Sequence, residues 1–492
     1  MHNGLSIHRK SACLTFALAL SLSWCYRGTL LAHTQQTPGK KLTAGRKYTT
    51  LERLKPERLR VVKEDRLRWQ SKRQPVALAT GLQDVKAILH AHAEDSAHTG
   101  GTRPELLAAA KRTGVQIILL TDHVRPPKDF INDSWRGMRD GVLFIPGAES
   151  EGFLAYPQQS IIQAHISKSF KTRDDYIGLV KTGGGNLFLS HVEEKDDWPT
   201  DKLDGLEIYN HHTDFMDENE FLFFLRGALT NPERLKQLEQ LIAEFPQEVF
   251  GVSQDYLAQI IAKWDRDLLT HRLTGVSAND CHHNQVFTVK VVSSHAIEIN
   301  VIGDPPRQIT TEQQPRLAEI LKGRNSGDLL GKLDFDPYDN SLRYVTTHLL
   351  LRTIDEPAVR QALQQSHAYV AHDWLCDPTG FAFVAERKGK RVAVLGDELA
   401  WQKDLQLRPG NPRRRNHQAL SQRQAAAEAL ADKLTVPVAE PGVYRAKSGW
   451  KLTANNARGF TPIRSASKKP ASLSARNFSV PAMAESRRLA VG

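Results

Sequence analysis

The feature that most restricts how this chain folds is a repeated ending. Across residues 82–284, short apolar runs alternate with helix-forming stretches, and run after run stops at a His, Asp or Glu. Val85-Lys86-Ala87-Ile88-Leu89 closes on His90-Ala91-His92, and Val115 to Leu120 delivers Thr121-Asp122-His123. Val142 to Ala148 runs into Glu149, Ser160 to Ala164 into His165, and Asn186 to Ser190 into His191. Gly205 to Tyr209 leads to Asn210-His211-His212, and Leu273 to Ala278 leads to Asn279-Asp280-Cys281-His282-His283. Along a strand, residues i and i+2 share a face, so His90 and His92 point the same way. One histidine at a strand end is ordinarily a satisfied hydrogen-bonding residue. Core packing does not, however, place an ionisable group at the end of nearly every strand.

Helical stretches separate these runs. Pro104 to Arg112 reads as a helix with Pro in its first turn and Gly114 as its stop. Further helices are expected near 174–180, 232–245 and 254–269. Strands alternating with helices predict βα units and a parallel sheet. In a closed βα barrel, chemistry collects at the C-terminal ends of the strands, which is where the ionisable residues fall.

The ordered set of motifs resembles the PHP family, the polymerase and histidinol phosphatase domain, over about residues 82–284. Leu89-His90-Ala91-His92, Leu120-Thr121-Asp122-His123 and Pro146-Gly147-Ala148-Glu149 resemble its first three motifs. Leu189-Ser190-His191 with Asp204 to Asn210, and then Asn279-Asp280-Cys281-His282, resemble the rest. The resemblance implies a distorted, TIM-like (β/α) barrel that holds two or three divalent metals and hydrolyses phosphoesters. It implies His90, His92, His123, Glu149, His191, Asp280 and His282 as ligands, with Glu149 bridging. Glu149, His191 and Asp280 are then the catalytic set, and His165 stands for a further His after the Glu strand.

The family follows its His-x-His with a Ser-Asp-Gly turn whose Asp is a ligand. This chain instead has Glu94-Asp95-Ser96-Ala97-His98-Thr99-Gly100-Gly101. Asp95 by chemistry, or His98 by its position nearer the glycines, suits that place. Asp95 is taken as the ligand and His98 as a substrate contact, together with Arg125 and His211. Lys195 and His212 also lie just past strand ends. Mixed imidazole and carboxylate ligands suit zinc, manganese or iron rather than calcium.

The ends of the chain differ from this middle. The net charge of +11 is concentrated in residues 40–73 and after Arg413. No zinc finger, RNA-binding signature or basic heptad accompanies that charge, so it reads as solvated, poorly ordered flanks. His8-Arg9-Lys10 followed by an apolar core from Ala12 to Leu22 reads as an export signal, too short to span a bilayer. No later stretch reads as a transmembrane helix. The expected organisation is a signal peptide at 1–34, a basic helical lead-in at 35–80 and the metal-binding barrel at 81–305. A smaller β-rich accessory α+β module at 306–445 and a basic disordered tail at 446–492 follow. Within the module, a helix at 311–323, a helix at 356–365 and strands near 368–371, 380–385 and 391–395 are expected, while 342–350 stays open. The function so read is an exported metal-dependent phosphoesterase acting on a small phosphoester. An amidohydrolase also opens a βα barrel with His-x-His, but closes with a lone Asp. A binding protein that keeps the barrel without turnover is the non-enzyme alternative.

Overall fold

The computed structural model describes residues 48–74, 80–216, 218–255, 257–400, 404–421, 424–433, 436–437, 443–449 and 488–491. The expected export signal, part of the lead-in and most of the basic tail lie outside these residues. The described chain is mixed α/β with several sheets.

The lead-in forms helices Thr50–Arg53 and Pro56–Ser71, the first with a Thr49–Glu52 capping box, the second begun by Pro56. It is anchored rather than exposed. Leu54 and Leu59 are buried in one apolar cluster with Phe221, Leu235 and Phe287. Arg66 makes a 2.8 Å ion pair with buried Glu248.

Strand β1 (Gln83–Ala91) carries the first motif and is followed by the expected helix, Arg103–Thr113, which ends at left-handed Gly114. The chain returns as β2 (Ile117–Leu120), breaks at Thr121 and resumes as β3 (Asp122–His123). β4 (Gly137–Arg139) and β5 (Val142–Ile145) pair antiparallel. β5 passes through Pro146-Gly147 into β6 (Ala148–Ser150), which turns back as β7 (Phe153–Tyr156). β8 (Asn186–Leu189), β9 (Gly205–Asn210) and β10 (Thr274–Ala278) follow. β11 (Val286–Ser293), β12 (Ala296–Val301), β13 (Arg307–Thr310) and β14 (Leu329–Asp334) form a four-stranded sheet. β15 (Thr346–Leu351) and β16 (Ala368–Ala371) come next.

Two six-stranded sheets position the site. One has the order β16-β15-β1-β2-β5-β4, the other β10-β9-β8-β7-β6-β3. The pairs β1–β2 and β2–β5 are parallel, as are β8–β9 and β9–β10. The chain crosses from the first sheet to the second twice, between β2 and β3 and between β5 and β6. An isolated parallel bridge joins Ala91, at the end of β1, to Cys281 just beyond β10. The second crossing requires glycine. A Cβ on Gly147 would run into the Tyr156 ring and the carbonyl oxygens of Ala155 and Leu120.

Several expectations change here. Residues 160–164 are not a strand leading to His165. Ile162–Ser167 is a helix, whose leading Ile161 and Ile162 pack beside Phe130, Ile131 and Tyr176. Strand β7 and the sheet β11–β14 were not anticipated, and the helix expected over 311–323 is only Leu317–Leu321. The open stretch 342–350 joins two elements, the end of helix Tyr338–Tyr344 and then β15. β15 pairs antiparallel with β1, so part of the segment expected to form an accessory module extends the sheet that carries His90. The helix at Glu356–Gln364 forms as expected. The strands expected near 380–385 and 391–395 form as β17 (Ala382–Arg387) and β18 (Lys390–Val394), which pair as a hairpin with Lys388 and Gly389 both at positive φ in its turn.

Candidate metal centre

The ends of β1, β3, β6, β8 and β10 converge. His90 and His92 stand on one face with ring centroids 5.2 Å apart, both fully buried. Their Nε2 atoms meet two carboxylates. His90 Nε2 lies 3.3 Å from Asp280 Oδ1 and 3.5 Å from Glu149 Oε2, and His92 Nε2 lies 3.5 and 3.7 Å from the same atoms. His191 Nε2 is 3.1 Å from Glu149 Oε1 and 3.7 Å from Asp280 Oδ2. His90, His92, Glu149 and Asp280 form one group whose ligand atoms lie within 4.8 Å of one another. His92, His123 and His282 form a second, and the His92 and His282 rings stack at 3.9 Å.

The outer ring nitrogens have partners of another kind. His90 Nδ1 is 2.7 Å from Glu207 Oε1. Asp95 Oδ2 is 3.1 Å from His92 Nδ1 and 2.6 Å from His123 Nδ1, and it accepts the His123 backbone N–H at 2.8 Å. His282 Nδ1 is 3.1 Å from the Asp280 carbonyl. Ionised carboxylates and carbonyls only accept, so these Nδ1 atoms carry a hydrogen, and the Nε2 lone pairs are the ones a bound cation would take. Metal-binding histidines are held in this way by their outer nitrogen. The buried Nε2 atoms of His90 and His282 have no hydrogen-bond partner. Such atoms are costly unless something satisfies them, and a cation bound by the lone pairs would do so. The donor set therefore fits a divalent transition metal.

Charge reinforces the geometry. Burial alone would raise the Glu149 carboxyl, but His90 and His191 outweigh it and hold it well below the ordinary range. Burial, with His92 beside it, pushes His282 well down and keeps it neutral, the form that binds a cation. His191 and Asp280 adopt left-handed φ of 44° and 48°. Each such residue costs on the order of 1–3 kcal/mol and persists where surrounding contacts over-determine it. At His191 those contacts are the backbone N–H to Glu207 Oε2 at 2.8 Å and Lys195 Nζ to the Ser190 carbonyl at 2.7 Å.

The other expected residues divide. Asp95 is at the centre, but its Oδ2 holds two imidazoles from behind. His98 stands over the second group, with ring centroids 4.7 Å from His123 and 5.1 Å from His282. Burial, and then His123, push it down to about 4. Exposed Arg125 adds to that shift, so its charge is felt at His98. His165 does not join the cluster. Its ring packs edge-on against Phe130, Phe170 and Tyr176, because its helix turns it into that apolar cluster. Nor does His211 face the centre. It stacks on Phe250 at 4.2 Å and packs against Tyr344 at 4.5 Å. The His212 side chain lies outside the described residues.

Two carboxylates at the site were not singled out from the sequence. Glu207 sits mid-strand in a run that reads as apolar, and its role shows only in the fold, where it is fully buried against His90 Nδ1. Glu193 lies on the polar turn after His191 and has no local signature.

No family model matches the chain, and no curated protein matches it. Solved structures do match. One is a two-domain protein containing a predicted PHP-like metal-dependent phosphoesterase from Bacteroides vulgatus. It is 14% identical, covers 76% of this chain and 89% of its own, and superposes with a TM-score of 0.30.

Proposed function

We propose that the chain is a metal-dependent phosphoesterase whose two main sheets are the halves of a distorted (β/α) barrel. The observation that carries this reading is the set of Nε2 atoms aimed at Glu149 and Asp280 with their Nδ1 atoms held from behind. When bound, divalent transition cations lower the pKa of a water to ~7 and neutralise charge on a transferring phosphoryl group. His90, His92, Glu149 and Asp280, with His191 beside them, would hold one ion. His123 and His282, with His98 above, would hold another. Asp95 braces the two positions through Oδ2, and its Oδ1, buried with no hydrogen-bond partner, is left for a cation. Glu149 stays ionised and can face both positions. Arg125, exposed beside His98, is placed to meet an anionic substrate. The N-terminal cationic and apolar run supports export, and among the described residues no helix is long and apolar enough to cross a membrane.

A substrate panel tests the reaction class. Hydrolysis of an aryl phosphate or a nucleotide phosphoester should require manganese or zinc and stop with chelator. Turnover of an amide or lactone, with none of any phosphoester, would replace this reading with amidohydrolase chemistry.

A further inference from the structure

We propose that Glu193 is a positioning residue that selects the tautomer of His191 able to bind a cation; this rests on the metal-site reading above. His191 Nε2 points at Glu149, and among the described residues two neighbours of opposite character stand at its Nδ1. Asn210 Nδ2, a donor, is 3.4 Å away, and Glu193 Oε1, an acceptor, is 3.3 Å away. The two neighbours favour different tautomers. A bond from Asn210 wants a bare Nδ1 and puts the hydrogen on Nε2, which closes that nitrogen to a metal. A bond to Glu193 wants hydrogen on Nδ1 and frees the Nε2 lone pair.

The surroundings favour Glu193. Asn210 Nδ2 is also 3.1 Å from Glu207 Oε2, an ionisable partner that competes for its hydrogens. Glu193 Oε1 is fixed by Thr213 Oγ1, which donates to it at 2.5 Å from the helix following β9. Its other oxygen, Oε2, is buried with no hydrogen-bond partner, so the carboxylate has little else to bond with. Glu193 thus does for His191 what Glu207 does for His90 and Asp95 does for His92 and His123. It comes from the turn Val192–Glu194 rather than from a strand.

The test uses the full chain with Glu193→Ala, Glu193→Gln and His191→Ala. Zinc affinity is measured by competition with a chromogenic chelator, and histidine tautomers by nitrogen-15 NMR of imidazole-labelled protein. With zinc bound at Nε2, His191 of wild type should carry its hydrogen on Nδ1, its signal displaced by the hydrogen bond to Glu193. Glu193→Ala should remove that displacement and weaken one zinc equivalent by about ten- to a hundredfold, as loss of an outer partner does. Glu193→Gln keeps size and packing, so it controls for folding. Its amide oxygen can still accept, and its zinc loss should be the smaller of the two. If His191→Ala weakens zinc while both Glu193 variants bind within twofold of wild type with an unchanged His191 Nδ1 signal, the proposal is overturned and the metal site stands. If wild type binds no zinc, the metal-site reading fails, and the proposal with it.

Discussion

Strand β1 carries two buried polar clusters, one at each end, and they differ in a single respect. At its C-terminal end His90 and His92 face Glu149 and Asp280. Nearer its start, His348 on β15 meets Asp84 at 2.7 Å through Nδ1 and Asp373 at 3.3 Å through Nε2. His348, Asp373 and Asp377 also have ligand atoms within 4.8 Å of one another. By residue type and spacing both clusters qualify as metal sites. The second, however, already holds a cation. Lys86 Nζ lies 2.9 Å from Asp373 and 3.1 Å from Asp377, and Tyr369 donates to Asp84 at 2.7 Å. In the first cluster, among the described residues, no lysine or arginine makes an ion pair with Glu149, and the inward nitrogens of His90 and His282 are left over. A ligand cluster is marked as a metal site by the positive charge it still lacks, more than by the ligands it contains.

The comparison can be broken first at Lys86. Lys86→Met removes the cation from a buried network and should destabilise the fold by about 3–5 kcal/mol, the usual cost of leaving buried charge uncompensated. Denaturant unfolding measures this. Zinc should then recover part of the loss in the variant through the His348 cluster. A wild-type-like midpoint would mean that the lysine is not the second cluster's counter-charge.

The matching change at the first cluster is Glu149→Gln. It keeps the size but removes the charge facing both cation positions. Activity and zinc affinity should fall at least about a hundredfold, while the metal-free protein loses less stability than with Lys86→Met. Steady-state kinetics beside chelator competition check both.

The clusters should also differ with pH. Burial opposes protonation of His348, but Asp373 and Asp84 outweigh it and raise the imidazole to about 9. Its unfolded value is roughly 6.5. The contribution is therefore full below that value and is lost as pH rises through about 9. Burial is likewise overcome at Asp373, chiefly by His348, which lowers it to about 2. That part is present above the ordinary carboxyl range and disappears as pH falls through about 2. Metal-free protein should lose stability between pH 7 and 10 in thermal unfolding scans, and His348→Gln should flatten that slope. An unchanged slope in the variant would assign the alkaline loss to other groups.

The smallest effect is expected at His165. Replacing it with Leu in its pocket of Phe130, Phe170 and Tyr176 removes a buried nitrogen, Nε2, that has no partner. Metal content should be unchanged and stability should shift by no more than about 0.5 kcal/mol. Loss of a metal equivalent would return His165 to the ligand set.

These contrasts also explain what the sequence could and could not reveal. The strand ends at His92, His123, Glu149, His191 and Asp280 were legible because a buried strand delivering an ionisable group is a local pattern. His165 misled because Ile161-Ile162 reads as a strand by hydrophobicity, yet these residues begin a helix whose partners, Phe130 and Tyr176, are distant in sequence. Asp95 was read as a metal ligand from its place after His92, whereas its bonds to two imidazoles depend on strands that come together only in the fold. Glu193 gave no signal because a polar turn residue looks alike whether it meets water or His191. β15 was hidden because the cross-strand pairing of Leu349 with Val85 spans most of the chain.

The central claim is that the cluster at the end of β1 binds transition-metal ions, and elemental analysis tests it most directly. Protein purified with zinc or manganese supplied should carry more than one equivalent per chain. The double variant His90→Ala, His92→Ala should lose at least one of them, whereas Asp377→Asn, in the cluster already neutralised by Lys86, should lose none. A wild-type protein without bound metal, or a double variant that keeps its full complement, would contradict the account.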